Sequence, residues 1–225
     1  PNIKSPVRET AIRVIKEEIK QRTLLDLPVV DSWSGNSPVI AIALTGDTDL
    51  YGNKIPSRSG SELAENKPEG YRIVSEVSNG KPTVWLIAAD DRGVIFAIGN
   101  FLRKAEMAKK KLNFDTSFEI ATSPAYPIRG HQLGYRNHAN SYDAWDVEQY
   151  EKYIRELVLF GTNAIENIPF LDNNPSSHMT VSRDEMNLRM SEICESFDID
   201  YWIWSPATFD LTDAEKRQTS LNERE

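Results

Sequence analysis

From Pro127 onward the sequence repeats a strand-then-helix pattern, and that alternation restricts the second half of the chain to parallel βα units. Ile128 to Leu133 is the first candidate strand, followed by a polar and aromatic loop from Tyr135 to Trp145. Asp146 with Gln149 three residues later reads as a capping box for a helix whose stripe is Tyr150, Ile154, Leu157 and Val158, with Gly161 at its end. Asn163 to Ile168 is the second strand, stopped by Pro169. Ser182-Arg183-Asp184-Glu185 then predicts a second capping box, ahead of the stripe Met186, Met190, Ile193, Cys194 and Phe197, with the methionines as core filler. Ile199 to Trp204 is the third strand, and Thr212 with Glu215 predicts one more capped helix. Short helix-to-strand turns and longer strand-to-helix loops suit a (β/α)8 barrel, which needs eight strands in roughly 250 residues. The expectation is therefore the first two to three βα units of a TIM barrel that is cut short. A doubly wound sheet is disfavoured because no Gly-rich phosphate loop follows the first strand.

The first half has a different order. Ser5-Pro6 opens a helix with Val7, Ala11, Ile15 and Ile19 at helical spacing, and Pro28 lies beyond its end. Val39 to Leu44 reads as a strand buried on both faces. The stretch from Gly46 to Gly70 is rich in Gly, Ser, Asn and Pro and predicts a long surface excursion. Tyr71 to Val74 and Thr83 to Ile87 read as two strands joined through Asn79-Gly80. Asp90-Asp91-Arg92-Gly93 leads into a second amphipathic helix marked by Val94, Ile98, Phe101, Leu102 and Ala105, with Asp91 as the expected cap. A short strand at Phe118-Glu119-Ile120 closes the unit. The fold class is α/β, with residues 1–123 as a small α/β domain and 124–225 as the incomplete start of the barrel.

Composition narrows the function classes. The 225 residues carry a formal net charge of -8, which argues against a phosphate-binding, nucleic-acid surface. No apolar run approaches the roughly 18 residues of a membrane span. No basic, apolar start marks a signal peptide, so any such segment has been removed or never existed. Cys194, the single cysteine, has no intrachain partner and falls on the apolar face of a predicted helix. His131 and His138 have no established ligand spacing, and no His-Glu-x-x-His motif is present, so neither a metal nor a cofactor is expected.

Two Arg-Gly segments and their order carry a likeness to a known group. Gly70-Tyr71-Arg72-Ile73, the run Val84-Trp85-Leu86-Ile87-Ala88-Ala89-Asp90-Asp91-Arg92-Gly93-Val94-Ile95-Phe96-Ala97-Ile98, and Ser123-Pro124-Ala125-Tyr126-Pro127-Ile128-Arg129-Gly130 resemble the N-terminal domain and barrel entry of family 20 glycoside hydrolases, the β-N-acetylhexosaminidases, and of related α-glucuronidases. The resemblance implies a non-catalytic accessory domain over 1–123, a carbohydrate substrate, and an extracytoplasmic setting (periplasmic or secreted, bacterial). It also implies that Arg129 holds sugar hydroxyls; the other reading of Arg129 is an inter-domain salt bridge. Family 20 members show a His-rich second strand leading to an Asp-Asp-Gln-Gly-Trp-like segment. Here Asn163-Ala164-Ile165-Glu166-Asn167-Ile168-Pro169 stands instead, which departs from N-acetylhexosamine specificity. The family's catalytic Asp-Glu pair follows a fourth barrel strand, so the main carboxylates are expected beyond residue 225.

Barrel sites form at the C-terminal ends of strands and in the loops after them. On that rule the candidates are His131, Tyr135, Arg136 and His138 after strand one, Glu166 and Asn167 on strand two, and Trp202 and Trp204 near the end of strand three. With Arg129, the set expected to touch substrate is Arg129, His131, Tyr135, Arg136, Glu166 and Trp204. Aromatic faces stack on sugar rings, and a carboxyl in a buried strand has the environment of an acid catalyst, although Glu166 also reads as a residue that fixes a neighbouring Arg or His. Trp202 and Trp204 share one strand face and read equally as barrel filler. The leading expectation is a glycoside hydrolase fragment, inactive alone, whose partners are a glycan and the remainder of its barrel. The alternatives are a non-enzymatic carbohydrate-binding or scaffold module, and a complete small α/β protein of unrelated function.

Overall fold

A computed structural model describes residues 5–33, 37–60, 63–78, 81–133, 144–167, 179–203 and 212–222. Ser5 caps α1 (Pro6–Thr23), its hydroxyl accepting from Arg8 N at 3.3 Å, and Leu24 ends it in the left-handed region. The first sheet has the order β1-β5-β4-β8, built from β1 (Val39–Leu44), β4 (Tyr71–Ser78), β5 (Lys81–Ala88) and β8 (Glu119–Thr122). β1 runs parallel to β5 and the other pairs are antiparallel. β4 and β5 pair as far as Ser78 with Lys81, and Asn79 and Gly80, expected to join them, lie outside the described residues.

Both faces of this sheet are covered. Ile73, Leu86 and Ala88 face α1 and α2 (Asp91–Lys104) in the main core. On the other face Ala41, Ala43, Trp85 and Ile87 meet Leu50 and Ile55, and Trp33 stacks on Trp85 at 5.2 Å. Leu50 and Ile55 belong to the Gly46–Gly70 stretch, which includes the small hairpin β2 (Asp49–Leu50) and β3 (Asn53–Lys54). That stretch is thus a cover for the sheet and not only a surface excursion, because two apolar side chains hold it down. Each fully buried residue of this size contributes about 2 kcal/mol of transfer free energy.

The cap of α2 is Asp90 and not Asp91: its Oδ1 accepts from Gly93 N at 2.8 Å, and its Oδ2 accepts from Glu69 N at 2.7 Å. A second hairpin, β6 (Glu106–Ala108) with β7 (Lys111–Asn113), had no counterpart in the sequence reading. Its turn puts Lys110 at φ 60°, where Gly or Asn would have been the visible sign.

The second half gives the three-stranded parallel sheet β11-β10-β9, from β9 (Gly130–Gln132), β10 (Ala164–Asn167) and β11 (Asp200–Ile203). α3 (Val147–Leu159) and α4 (Arg183–Ser196) connect the strands, and α5 (Ala214–Asn222) follows. The Asp146–Gln149 capping box forms in both directions. At α4 only the Ser182 half forms, because the Glu185 carboxylate turns to Arg189 at 2.7 Å. At α5 the backbone donors of Glu215 and Lys216 go to Asp213, which takes the capping role expected of Thr212.

One apolar core runs from Val7 in α1 through α2, α3 and α4 to Ile199. α2 is central to it. A Cβ added at Gly99 would lie 1.9 Å from the carbonyl oxygen of Leu159 at the end of α3, so only glycine allows this approach.

Candidate functional site at the strand ends

Register decides what the parallel sheet presents. Glu166 on the middle strand pairs with Gln132 on one side and Trp202 on the other. Side chains alternate along a strand, and Ile165 is fully buried against the helices, so Gln132, Glu166 and Trp202 form a row on the opposite face. The row lies toward the C-terminal ends of the strands. Gln132 is exposed, Glu166 is half-buried, and the Trp202 indole is 48% exposed. A carboxylate and an amide beside an open aromatic face form a surface that hydrogen-bonds hydroxyls and stacks on C–H groups. Glu166 is not sealed in the sheet as expected, because the face it points from is open.

His131 lies on the other face, in register with Ile165. Its Nε2 shares a hydrogen bond with the Tyr153 hydroxyl at 2.6 Å, and the rings pack edge to face within α3's aromatic group, where Trp145 also meets Tyr153. His131 therefore belongs to the helix layer and does not join the row. Tyr135, Arg136, His138 and Trp204 lie outside the described residues, as does the Asn167 side chain. Gln132 was missed from sequence. Its sign was the two-residue alternation, which becomes informative only when register puts it beside Glu166.

Arg129 sits at the opposite end, just before β9, and its partners within the chain are those of the inter-domain salt bridge, the other reading of this residue. Its Nε donates to Gly161 O at 2.7 Å and its Nη1 to Tyr126 O at 2.8 Å. Nη2 lies 2.7 Å from Glu69 Oε2, an ion pair without the alignment of a hydrogen bond. The guanidinium also stands 5.2 Å from the Phe96 ring centroid. Arg129 precedes the N-terminal end of β9, whereas barrel sites open at the C-terminal ends of the strands.

Glu69 gathers the rest of that end. Its Oε1 accepts from Asn163 Nδ2 at 3.0 Å and meets Arg92 Nη1 at 3.4 Å. Arg92 continues to Asp198 at 3.2 Å and Asp200 at 3.0 Å. Burial pushes the Glu69 carboxyl up, but the hydrogen bond from Asn163 and the adjacent Arg129 and Arg92 guanidiniums outweigh it, so the net shift is downward. Burial likewise works against the Arg92 charge, and Asp198, Asp200 and Glu69 together raise its pKa. A cleft of about 170 Å³ opens beside this network, lined by Tyr71, Phe96, Arg103 and Phe160 among others. Arg103 donates to Leu159 O there and lies over the Phe160 ring, so both arginines of the cleft serve the end of α3.

Among the described residues, no group of three or more His, Cys, Asp and Glu side chains is arranged to hold a metal ion, and no helix is long and apolar enough to cross a membrane.

No family model and no curated protein matches the sequence. Solved structures do match the fold. The chain is similar to a GH20 exo β-N-acetylglucosaminidase from Vibrio harveyi in complex with N-acetylglucosamine, at 15% identity and TM-score 0.54 over 88% of this chain and 31% of that one. It is also similar to a GH20 β-N-acetylhexosaminidase from Streptomyces coelicolor, at 13% identity and TM-score 0.56 over 88% of this chain and 40% of that one. CpGH84B matches at 15% identity and TM-score 0.51, over 73% of this chain and 27% of that one. The fold is of the family 20 glycoside hydrolase type. Identities this low speak to fold alone, and the chain spans between 27% and 40% of these neighbours' length.

The family 20-like motifs have a local physical account. A Cβ on Gly93 would lie 2.7 Å from Gly70 O, and one on Gly70 would lie 2.2 Å from Ala64 O. The two glycines let the start of β4 pass close to the start of α2, and Arg92 between them reaches the second sheet.

Proposed function

We propose that this chain is the N-terminal part of a glycoside hydrolase acting on a polysaccharide or glycan, with the sugar resting on the row Gln132, Glu166 and Trp202. The observation that carries the reading is that row, a carboxylate, an amide and an indole at the open ends of parallel strands in a family 20-type fold. In this reading Trp202 stacks on the ring, the Gln132 amide donates to and accepts from its hydroxyls, and the Glu166 carboxylate accepts from them. Hydrolysis needs two carboxyl groups, one to protonate the leaving oxygen and one to act as nucleophile or to activate water. Glu166 supplies one carboxylate to the row. The principal pair is assigned to further βα units, which also pair with β9 and β11, the outer strands of the sheet among the described residues. Residues 1–123 are the non-catalytic part, and a polysaccharide substrate implies an extracytoplasmic setting.

A second reading, carbohydrate binding without hydrolysis, draws on one observation. On the face of the row, the other described carboxylate of the strands, Asp200, is committed to Arg92 at 3.0 Å. Two measurements separate the readings. Saturation-transfer NMR against a panel of neutral and uronic oligosaccharides is expected to show binding that Trp202→Ala removes, and a panel without any Trp202-dependent binder would overturn the row as a sugar site. Aryl-glycoside turnover by the full-length gene product is expected for the hydrolase, whereas binding with no turnover would leave the second reading standing. Turnover by the 225-residue chain itself would refute the assignment of the pair to further units.

A further inference from the structure

The seam between the two sheets has the character of an interior and not of a contact between modules. We propose that the first sheet and the parallel strands form one cooperative folding unit, with α2 as the shared core element and Glu69 as the pin that sets the N-terminal ends of the strands. On this proposal the first layer is the base on which the barrel strands are laid, and not a separately folding domain ending at residue 123. It holds whether or not the row binds sugar.

Three independent features carry it. The first is packing. α2 is buried on nearly every turn, through Ile95, Ile98, Phe101 and Leu102, and joins a core that includes Tyr150, Ile154 and Val158 of α3. The Gly99 approach to Leu159 puts the two helix backbones closer than any side chain allows. Helices cover one face of the parallel sheet, and α2 packs against α3, one of those helices.

The second is the reach of the Glu69 network. Arg129 precedes β9, Asn163 precedes β10 and Asp200 opens β11, so all three strand starts are tied to Glu69 directly or through Arg92. Asn163 also fixes its neighbours, its Oδ1 accepting from Arg129 N at 2.8 Å and its backbone carbonyl accepting from Asp200 N at 2.9 Å. The third lies on the far side of the core. Arg155 of α3 meets Glu17 of α1 at 2.7 Å and Glu151 at 2.7 Å, and Arg13 of α1 meets Glu151 at 3.6 Å. Loosely joined domains meet through a polar seam that opens easily. Here ion pairs rim an apolar centre.

The test is native-state hydrogen exchange on the whole chain in low denaturant, reading Leu86 in β5 and Ile165 in β10. Trp85→Phe perturbs the outer face of the first sheet, away from the seam, and Met190→Ala perturbs the core under α4. In one cooperative unit each variant speeds exchange at both amides by a similar factor, roughly tenfold or more. A variant that speeds exchange only in its own half would overturn the proposal. Should either variant fail to fold, Ile55→Val and Met190→Leu carry the same comparison, and a response confined to one half again decides against it.

Discussion

Glu69 Oε2 and Arg129 Nη2 lie 2.7 Å apart, joining the segment that leads into β4 to the residue that precedes β9. The two side chains are 60 residues apart in sequence, and neither is exposed by more than a quarter. Their contact is the inter-domain ion pair, one of the two readings of Arg129. Glu69 holds a left-handed backbone at φ 59°, and its N–H donates to Asp90 Oδ2 at 2.7 Å.

Glu69→Gln keeps the shape and removes the charge facing Arg129 and Arg92. The expected cost is about 2 kcal/mol at neutral pH, measured by urea unfolding. Glu69 has its folded pKa depressed, so its contribution is present above the unfolded value near 4.3 and is lost as pH falls through the folded value. Wild-type stability should therefore fall with acid below about pH 4.5 more steeply than that of Glu69→Gln.

Gly99→Ala adds a methyl group where the Leu159 carbonyl already stands. Overpacking of about 3 kcal/mol is expected to outweigh the roughly 1 kcal/mol that alanine gains in a helix. Gly46→Ala has open space around the added carbon and no positive φ, and should change the melting temperature little. Thermal unfolding of the two variants side by side makes the comparison.

Asp90→Ala removes an acceptor from both Gly93 N and Glu69 N, and is expected to cost about 2 kcal/mol. Asp91→Ala should cost about 0.5 kcal/mol, since its charge acts only on the helix dipole. Equal losses in chemical denaturation would contradict the assignment of the cap.

Cys194 is buried in the core, and burial pushes its thiol pKa up to about 12. A disulfide reagent such as DTNB at pH 8 should leave the native protein unlabelled and titrate one thiol after unfolding. Labelling of the native chain at a rate independent of denaturant would show that α4 does not seat as described.

Much of the fold was legible in advance where a signal is local. Ser5 and the Asp146–Gln149 box state their helix starts within three residues, and the Val7, Ala11, Ile15, Ile19 stripe states the buried face. The three βα strands appear as short apolar runs between turn residues. Where two local partners compete, the reading failed: Asp90 and Asp91 are adjacent acids, and Glu185 has both a capping donor and Arg189 within reach.

The sequence by itself determined the main helices and strands and their α/β order, because caps, periodicity and turn residues act across a few neighbouring positions, but not the two small hairpins β2–β3 and β6–β7. Tertiary structure alone decided which side of the sheet is the candidate site. His131 and Gln132 are adjacent, yet one meets Tyr153 among the helices and the other stands beside Glu166 on the open face. The same holds for Arg129, whose partner is Glu69 in the other layer. A one-residue alternation and a 60-residue ion pair become readable only once register and layer packing bring distant segments together, since no local energy term distinguishes the two faces of a strand.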